Sequence, residues 1–101
     1  MLNTNRIKEL KQEVGEDDFV EVVGIFCEEV EELLGQLPST PASAMAEKLH
    51  FLKGSALNIG MSDVGELCRS EEERLKAAPG ATADIAAIVA TYQASKSELI
   101  G

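Results

Sequence analysis

The chain has 101 residues, 45% of them hydrophobic and only 4% aromatic, and its formal net charge at pH 7 is −9. This length predicts one domain over residues 1–101, with a single aliphatic core. The acidic balance argues against a nucleic-acid-binding protein, because contacts to phosphates need clustered lysine and arginine.

The first two predicted helices follow one another directly. Thr4 is placed to cap a short helix that Gly15 ends. A long second helix follows Asp17 over residues 18–37, and a run of glutamates is expected to form its solvated outer face. Apolar residues recur at spacings of three and four in both helices: Ile7, Leu10 and Val14 in the first, then Phe19, Val23, Phe26, Val30, Leu33 and Leu37 in the second.

Three more helices complete the pattern. Thr40 is expected to cap the third, with Pro41 at its first position, and this helix ends near Gly60. Ser62 and Asp63 begin the fourth, Pro79-Gly80 ends it, and Thr82 caps the fifth. Their inward positions are Met45, Leu49, Leu52, Ala56 and Ile59, then Val64, Leu67, Cys68 and Leu75, then Ile85, Ile88, Tyr92, Ser95 and Leu99.

Long amphipathic helices with short connections predict an all-α fold. We expect an antiparallel up-down-up-down four-helix bundle, with the short N-terminal helix covering one end. Cys27 and Cys68 lie inside helical patterns, and we interpret them as reduced, buried thiols. With no apolar run long enough for a membrane span and no signal peptide, we expect a cytoplasmic protein. No surplus hydrophobic seam calls for a dimer, so a monomer is expected.

The stretch from His50 to Gly60 contains the only histidine of the chain. Read as a helix, it places His50, Lys53 and Gly54 on one face. Ideal helix geometry puts His50 roughly 140° from the centre of the apolar stripe, so the imidazole is predicted to face solvent beside Leu57. A glycine inside a helix costs roughly 1 kcal/mol relative to alanine, and close approach by another molecule would account for it.

The motif His-x-Leu-Lys-Gly-Ser at residues 50–55, followed by Gly60, Leu67-Cys68 and Glu72, resembles the histidine-containing phosphotransfer (HPt) domain of multistep phosphorelays. The resemblance is close over residues 45–76. It implies that Nε2 of His50 is the phosphorylated atom. It also implies that Lys53 lies near the phosphoryl oxygens and that Gly54 is the small residue needed for docking.

Two further residues take roles from the resemblance, and two depart from it. Glu72 matches the position from which Gln or Glu hydrogen-bonds the ring and keeps Nδ1 protonated, and Lys76 matches an occasional basic residue. Glu71 stands where the family usually has leucine, so we expect it at the rim or paired with Arg74. Met61 replaces a residue that is commonly small.

Other chemistries for the histidine lack their partners in this sequence. One histidine and two cysteines on separate helices do not form a zinc site, and no third group or cleft supports a catalytic triad. Without a glycine-rich phosphate loop the chain lacks the parts of a kinase. Neutral imidazole is a competent nucleophile, and Lys53 would offset the new phosphoryl charge by roughly 1–3 kcal/mol.

The resulting hypothesis is a phosphoryl carrier that is not itself an enzyme. His50 would relay the group between the aspartates of response-regulator receiver domains, or accept it from a histidine kinase or hybrid kinase. No cofactor of its own is expected, with Mg²⁺ in the partner receiver domain. The alternative is a non-phosphorylated helical adaptor that binds a receiver or kinase through the same surface. An enzyme with His50 as general base ranks last, for lack of a pocket.

Overall fold

The computed structural model describes residues 2–78 and 80–100, and within these ranges the chain forms five α-helices, one 3₁₀ turn and no strand. The all-α prediction is therefore confirmed. None of the described helices has the length and apolarity needed to cross a membrane. The helices are α1 (Thr4–Val14), α2 (Glu16–Gln36), α3 (Ala42–Asn58), α4 (Ser62–Ala77) and α5 (Ile85–Ile100), and the 3₁₀ turn is Leu37–Ser39.

The beginnings of α1 and α3 differ from the predicted caps. Asn3, not Thr4, caps α1, because its side-chain oxygen accepts the backbone N–H of Arg6 at 3.2 Å. Helix α3 starts one residue later than predicted, and the Thr40 hydroxyl donates to the Gln36 carbonyl at 2.7 Å instead of capping α3. Both differences are local competition between side-chain hydrogen bonds at a helix boundary.

The boundaries of α2, α4 and α5 also differ from the predicted ones. Helix α2 begins at Glu16, directly after Gly15, and not at residue 18. Helix α4 ends at Ala77, and Pro79 of the predicted stop lies outside the described residues. Thr82 does not cap α5, since the N–H of Ala87 donates to the carboxylate of Asp84 at 3.0 Å. Asp84 offers a better acceptor for the first free N–H groups of the helix.

One core gathers the inward faces of all five helices. The buried face of α2 is rotated slightly from the predicted one, because Cys27 and Leu34 are buried while Phe26 and Leu33 are only partly buried. In the other helices the predicted inward residues are buried or partly buried. The partly buried ones are Ile7, Val14, Leu67, Leu75, Ile85 and Leu99. The residues with no exposed surface are Val23, Val30, Leu49, Leu52, Ala56, Ile59, Met61, Val64, Cys68 and Ile88.

Contacts between neighbouring helices join α2, α3, α4 and α5 in a ring, and α1 packs on α2. Helix α2 packs against α3 and α5, α3 against α4, α4 against α5, and α1 against α2. The α3–α4 contact is the most extensive, and it is tight at Gly65, where an added Cβ would lie 2.4 Å from Cδ2 of Leu57. Gly65 therefore leaves the space on α4 that the Leu57 side chain fills.

Helix α1 covers the turn between α3 and α4. Gly60 has φ 77°, a conformation that favours glycine, and its carbonyl accepts the N–H of Asn3 at 2.7 Å. Arg6 donates through Nε to the Asn58 carbonyl at 2.8 Å and through Nη2 to the Asn58 side-chain oxygen at 3.0 Å. The bond from Nε satisfies the Asn58 carbonyl, one of the last carbonyls of α3, which have no acceptor role within the helix.

Candidate functional site

His50 lies on the outward face of α3, and 63% of its side chain is exposed. The helix is held in this orientation by Leu49 and Leu52, which are both fully buried. The imidazole is thus presented to solvent by a rigid, well-packed element, as the helical periodicity predicted.

Glu72 brings a carboxylate from α4 to the ring. Its Oε1 lies 3.3 Å from Nδ1 of His50, and its Oε2 accepts a hydrogen bond from Nζ of Lys53 at 3.2 Å. Only 11% of the Glu72 side chain is exposed. Burial acts to raise the pKa of Glu72, but the hydrogen bond and charge of Lys53 prevail, helped by His50 and Lys76, and hold that pKa below its ordinary value.

The two lysines that bracket the histidine in sequence have different surroundings. Lys53 lies between α3 and α4 with 23% of its side chain exposed, close to the carboxylate that also faces the ring. Lys48 extends toward α2, where its Nζ donates to the side-chain oxygen of Gln36 at 2.6 Å. Only Lys53 therefore places its charge in the polar cluster with His50 and Glu72.

Gly54 follows His50 by one turn on the same face. A Cβ built at this residue would have no neighbour within 4 Å outside the local helix backbone. Packing within the described part of the chain therefore does not require a glycine here. Leu57, one turn further on, remains 45% exposed although it packs over Gly65.

Cys68 lies one turn before Glu72, on the buried side of α4. Burial, reinforced by the charge of Glu72, raises the pKa of this thiol to about 12. Cys68 and Cys27 are both free and buried, as predicted. Over residues 2–78 and 80–100, no group of three or more His, Cys, Asp or Glu side chains is arranged to hold a metal ion.

The comparison with family models identifies this arrangement. The model of the Hpt domain matches residues 21–98, which include His50, Lys53, Gly54 and Glu72. The chain belongs to the Hpt domain family. Hpt domains are helical phosphocarriers of two-component phosphorelays. Neither the comparison with curated proteins nor the comparison with solved structures found a match.

Helix α1 precedes the part of the chain that matches the Hpt domain. The contacts of Arg6 with Asn58 nevertheless connect it to the end of the helix that carries His50. The C-terminal end of α3 is thus held by a segment outside the matched range.

The unusual Glu71 has a structural explanation. Its carboxylate accepts two hydrogen bonds from Arg74, at 2.8 and 2.7 Å, and one from the backbone N–H of Asp84 at 2.6 Å. The guanidinium of Arg74 lowers the pKa of Glu71, and the Asp84 N–H adds to this while burial opposes it. Glu71 is 7% exposed, so the expected pairing with Arg74 is present but the rim position is not. The residue ties α4 to the segment before α5.

Phe51 was not marked by the sequence pattern, although it follows the histidine directly. Its side chain is 57% exposed, more than that of Leu57. The signal in the sequence was its place outside the apolar stripe of α3, directly beside the only histidine of the chain.

Proposed function

We propose that His50 is the phosphoacceptor of this Hpt domain and that the protein relays a phosphoryl group between receiver-domain aspartates. A histidine kinase or hybrid kinase can serve as the first donor. The observation that carries the proposal is the approach of Glu72 Oε1 to Nδ1, at 3.3 Å. A carboxylate at Nδ1 favours the tautomer with its proton on that nitrogen, which leaves the lone pair of Nε2 free.

The transfer follows from this tautomer. The Nε2 lone pair attacks the phosphorus of a receiver's aspartyl phosphate, and the bond between phosphorus and the aspartate oxygen breaks. The bonding electrons return to the aspartate carboxylate, and the reverse step delivers the group to the next receiver. Lys53 offsets the charge of the phosphoryl oxygens by roughly 1–3 kcal/mol. Gly54 leaves room for the partner's active site, which brings its own Mg²⁺.

Helices α2–α5 form an antiparallel up-down-up-down bundle, an arrangement supported by the contacts of α2 with both α3 and α5. The protein acts as a cytoplasmic monomer without a cofactor of its own. It is a carrier and not an enzyme, since the partner receiver completes the chemistry.

The test is transfer from a phosphorylated receiver domain of the same cell. We expect an acid-labile, alkali-stable phosphate on the wild-type protein and none on His50→Gln, with unchanged helicity by circular dichroism. Label retained by His50→Gln would disprove the assignment of His50. If the wild-type protein binds receivers but takes label from none of them, it is an adaptor and not a carrier.

A further inference from the structure

The charges around His50 are distributed unequally between its two sides. On the side of α4 lie the ammonium groups of Lys53 and Lys76, with Glu72 beneath them. On the side of α2 lie the carboxylates of Glu29, Glu32 and Glu47 and one ammonium group, that of Lys48, which donates to Gln36. None of the three carboxylates forms an ion pair with another residue in the described ranges, so this side carries a net negative charge toward a partner.

Phe51 projects from α3 between two recesses on this acidic side. A recess of about 240 Å³ separates it from α2 and is lined by Glu29, Glu32, Leu33, Gln36 and Ser55. A second recess, of about 160 Å³, lies on the other side of the ring beside Glu47 and Lys48. The exposed phenyl ring is therefore a ridge with a hollow on each side and carboxylates around it.

The volumes of the two recesses favour a protein partner over a small molecule. Small-molecule sites are usually concave and about 300–1,000 Å³ in volume, and both recesses are smaller. An exposed aromatic residue within a charged rim matches the anatomy of a protein–protein interface, where a few aromatic anchors contribute most of the affinity. Phe51 and His50 are neighbours in sequence, so a protein that covers one of them also meets the other.

We propose that Phe51 and its acidic rim select receiver domains whose docking surface has an apolar hollow bordered by lysine or arginine. The inference rests on the proposed function and adds to it the property by which a receiver is recognised. Opposite charges accelerate association and fix orientation. A basic border over Glu29 and Glu32 directs the negatively charged aspartyl phosphate toward Lys53.

The experiment measures the second-order rate constant of single-turnover transfer from a panel of receiver domains phosphorylated with acetyl phosphate. Phe51→Ala removes the ridge, and Val20→Ala is its control, since Val20 is 64% exposed and lines neither recess. Glu32→Lys reverses one charge of the rim. Glu98→Lys makes the same change in net charge on exposed α5 surface. Phosphoramidate, a small phosphoryl donor, reports on His50 without any docking.

We expect Phe51→Ala to lower this rate constant by at least about tenfold with the receivers that the wild-type protein uses. Glu32→Lys lowers it by about three- to tenfold at low ionic strength, and the loss largely disappears in high salt. Labelling by phosphoramidate stays at the wild-type rate in both variants, and the two control variants transfer normally.

Any one of three results would contradict the proposed docking surface. Phe51→Ala could transfer at a rate within about twofold of wild type, or Glu98→Lys could slow transfer as much as Glu32→Lys. The third is slower labelling of Phe51→Ala by phosphoramidate. The last would mean that Phe51 acts through the ring of His50. Normal transfer by Phe51→Ala together with none by His50→Gln contradicts only this inference, whereas an unlabelled wild-type protein contradicts the proposed function itself.

Discussion

Glu72 reaches from α4 to His50 on α3, and its Oε1 lies 3.3 Å from Nδ1 of the ring. The second oxygen of the same carboxylate binds Lys53, so one nearly buried group connects the two residues. The imidazole is thereby oriented by a neighbouring helix and not by its own. This arrangement makes the surroundings of the His50 ring depend on the packing of α3 against α4.

Replacing Glu72 separates orientation from charge. We expect Glu72→Ala to slow single-turnover transfer from a phosphorylated receiver by about tenfold or more, because the ring loses the carboxylate at Nδ1 that favours the reactive tautomer. Glu72→Gln keeps an oxygen that can accept a hydrogen bond from the Nδ1–H group, so this variant should transfer considerably faster than Glu72→Ala. Equal rates for the two variants, with helicity unchanged, would show that Nδ1 needs no acceptor.

Gly54 can be tested as a clearance for the partner. The open space around its Cβ position predicts that Gly54→Ala raises the free energy of unfolding by up to about 1 kcal/mol. Gly35→Ala, on the exposed face of α2, should stabilise similarly. Gly54→Gln should leave thermal unfolding intact and phosphoramidate labelling normal, yet strongly slow transfer from receivers. Unimpaired transfer in that variant would leave the helical glycine without a docking role.

Glu71 should contribute to stability in a pH-dependent way. Its pKa is lower in the folded chain than the ordinary value of 4.5, so its contribution is present above that value and is lost as the pH falls through the folded-state pKa. We expect Glu71→Gln to lower the free energy of unfolding by about 1–3 kcal/mol at neutral pH. The difference from wild type should shrink in urea titrations carried out below pH 4.5.

The matched control for Glu71 lies on the same helix. Glu66 pairs with Arg69 at the same i, i+3 spacing, but both side chains are largely exposed. Solvent-exposed pairs of this kind contribute little to stability, so Glu66→Gln should barely change the unfolding curve at any pH. If Glu66→Gln lowered the free energy of unfolding as much as Glu71→Gln, burial would not be the reason for the contribution of Glu71.

Arg6 is expected to stabilise the end of the helix that carries His50. Arg6→Ala removes two hydrogen bonds to Asn58, and we expect a loss of about 1–3 kcal/mol in chemical denaturation. Hydrogen exchange should accelerate in the last turn of α3. Arg69→Ala, whose partners are both on its own helix, is the control and should have little effect. Unchanged exchange in α3 would show that α1 does not support it.

Much of the architecture was predictable because it depends on local periodicity. The spacings of apolar residues determined the helices, and the chain positions of Gly15 and Gly60 determined where two of them end. Helix starts were less accurate, since Asn3 and Asp84 compete with nearby threonines for the same N–H groups. That competition is decided by the local backbone path, which residue types alone do not specify.

The sequence by itself determined the all-α class, the exposure of His50 on its helix and the membership in the Hpt domain family, because periodicity and a short motif lie within one segment. Only the tertiary structure decided which side chains meet across helices. Glu72 faces both His50 and Lys53, Glu71 holds the start of α5, and Phe51 stands between two recesses toward α2 and α3. These relationships depend on the closeness and rotation of packed helices, which are set by side chains far apart in the chain.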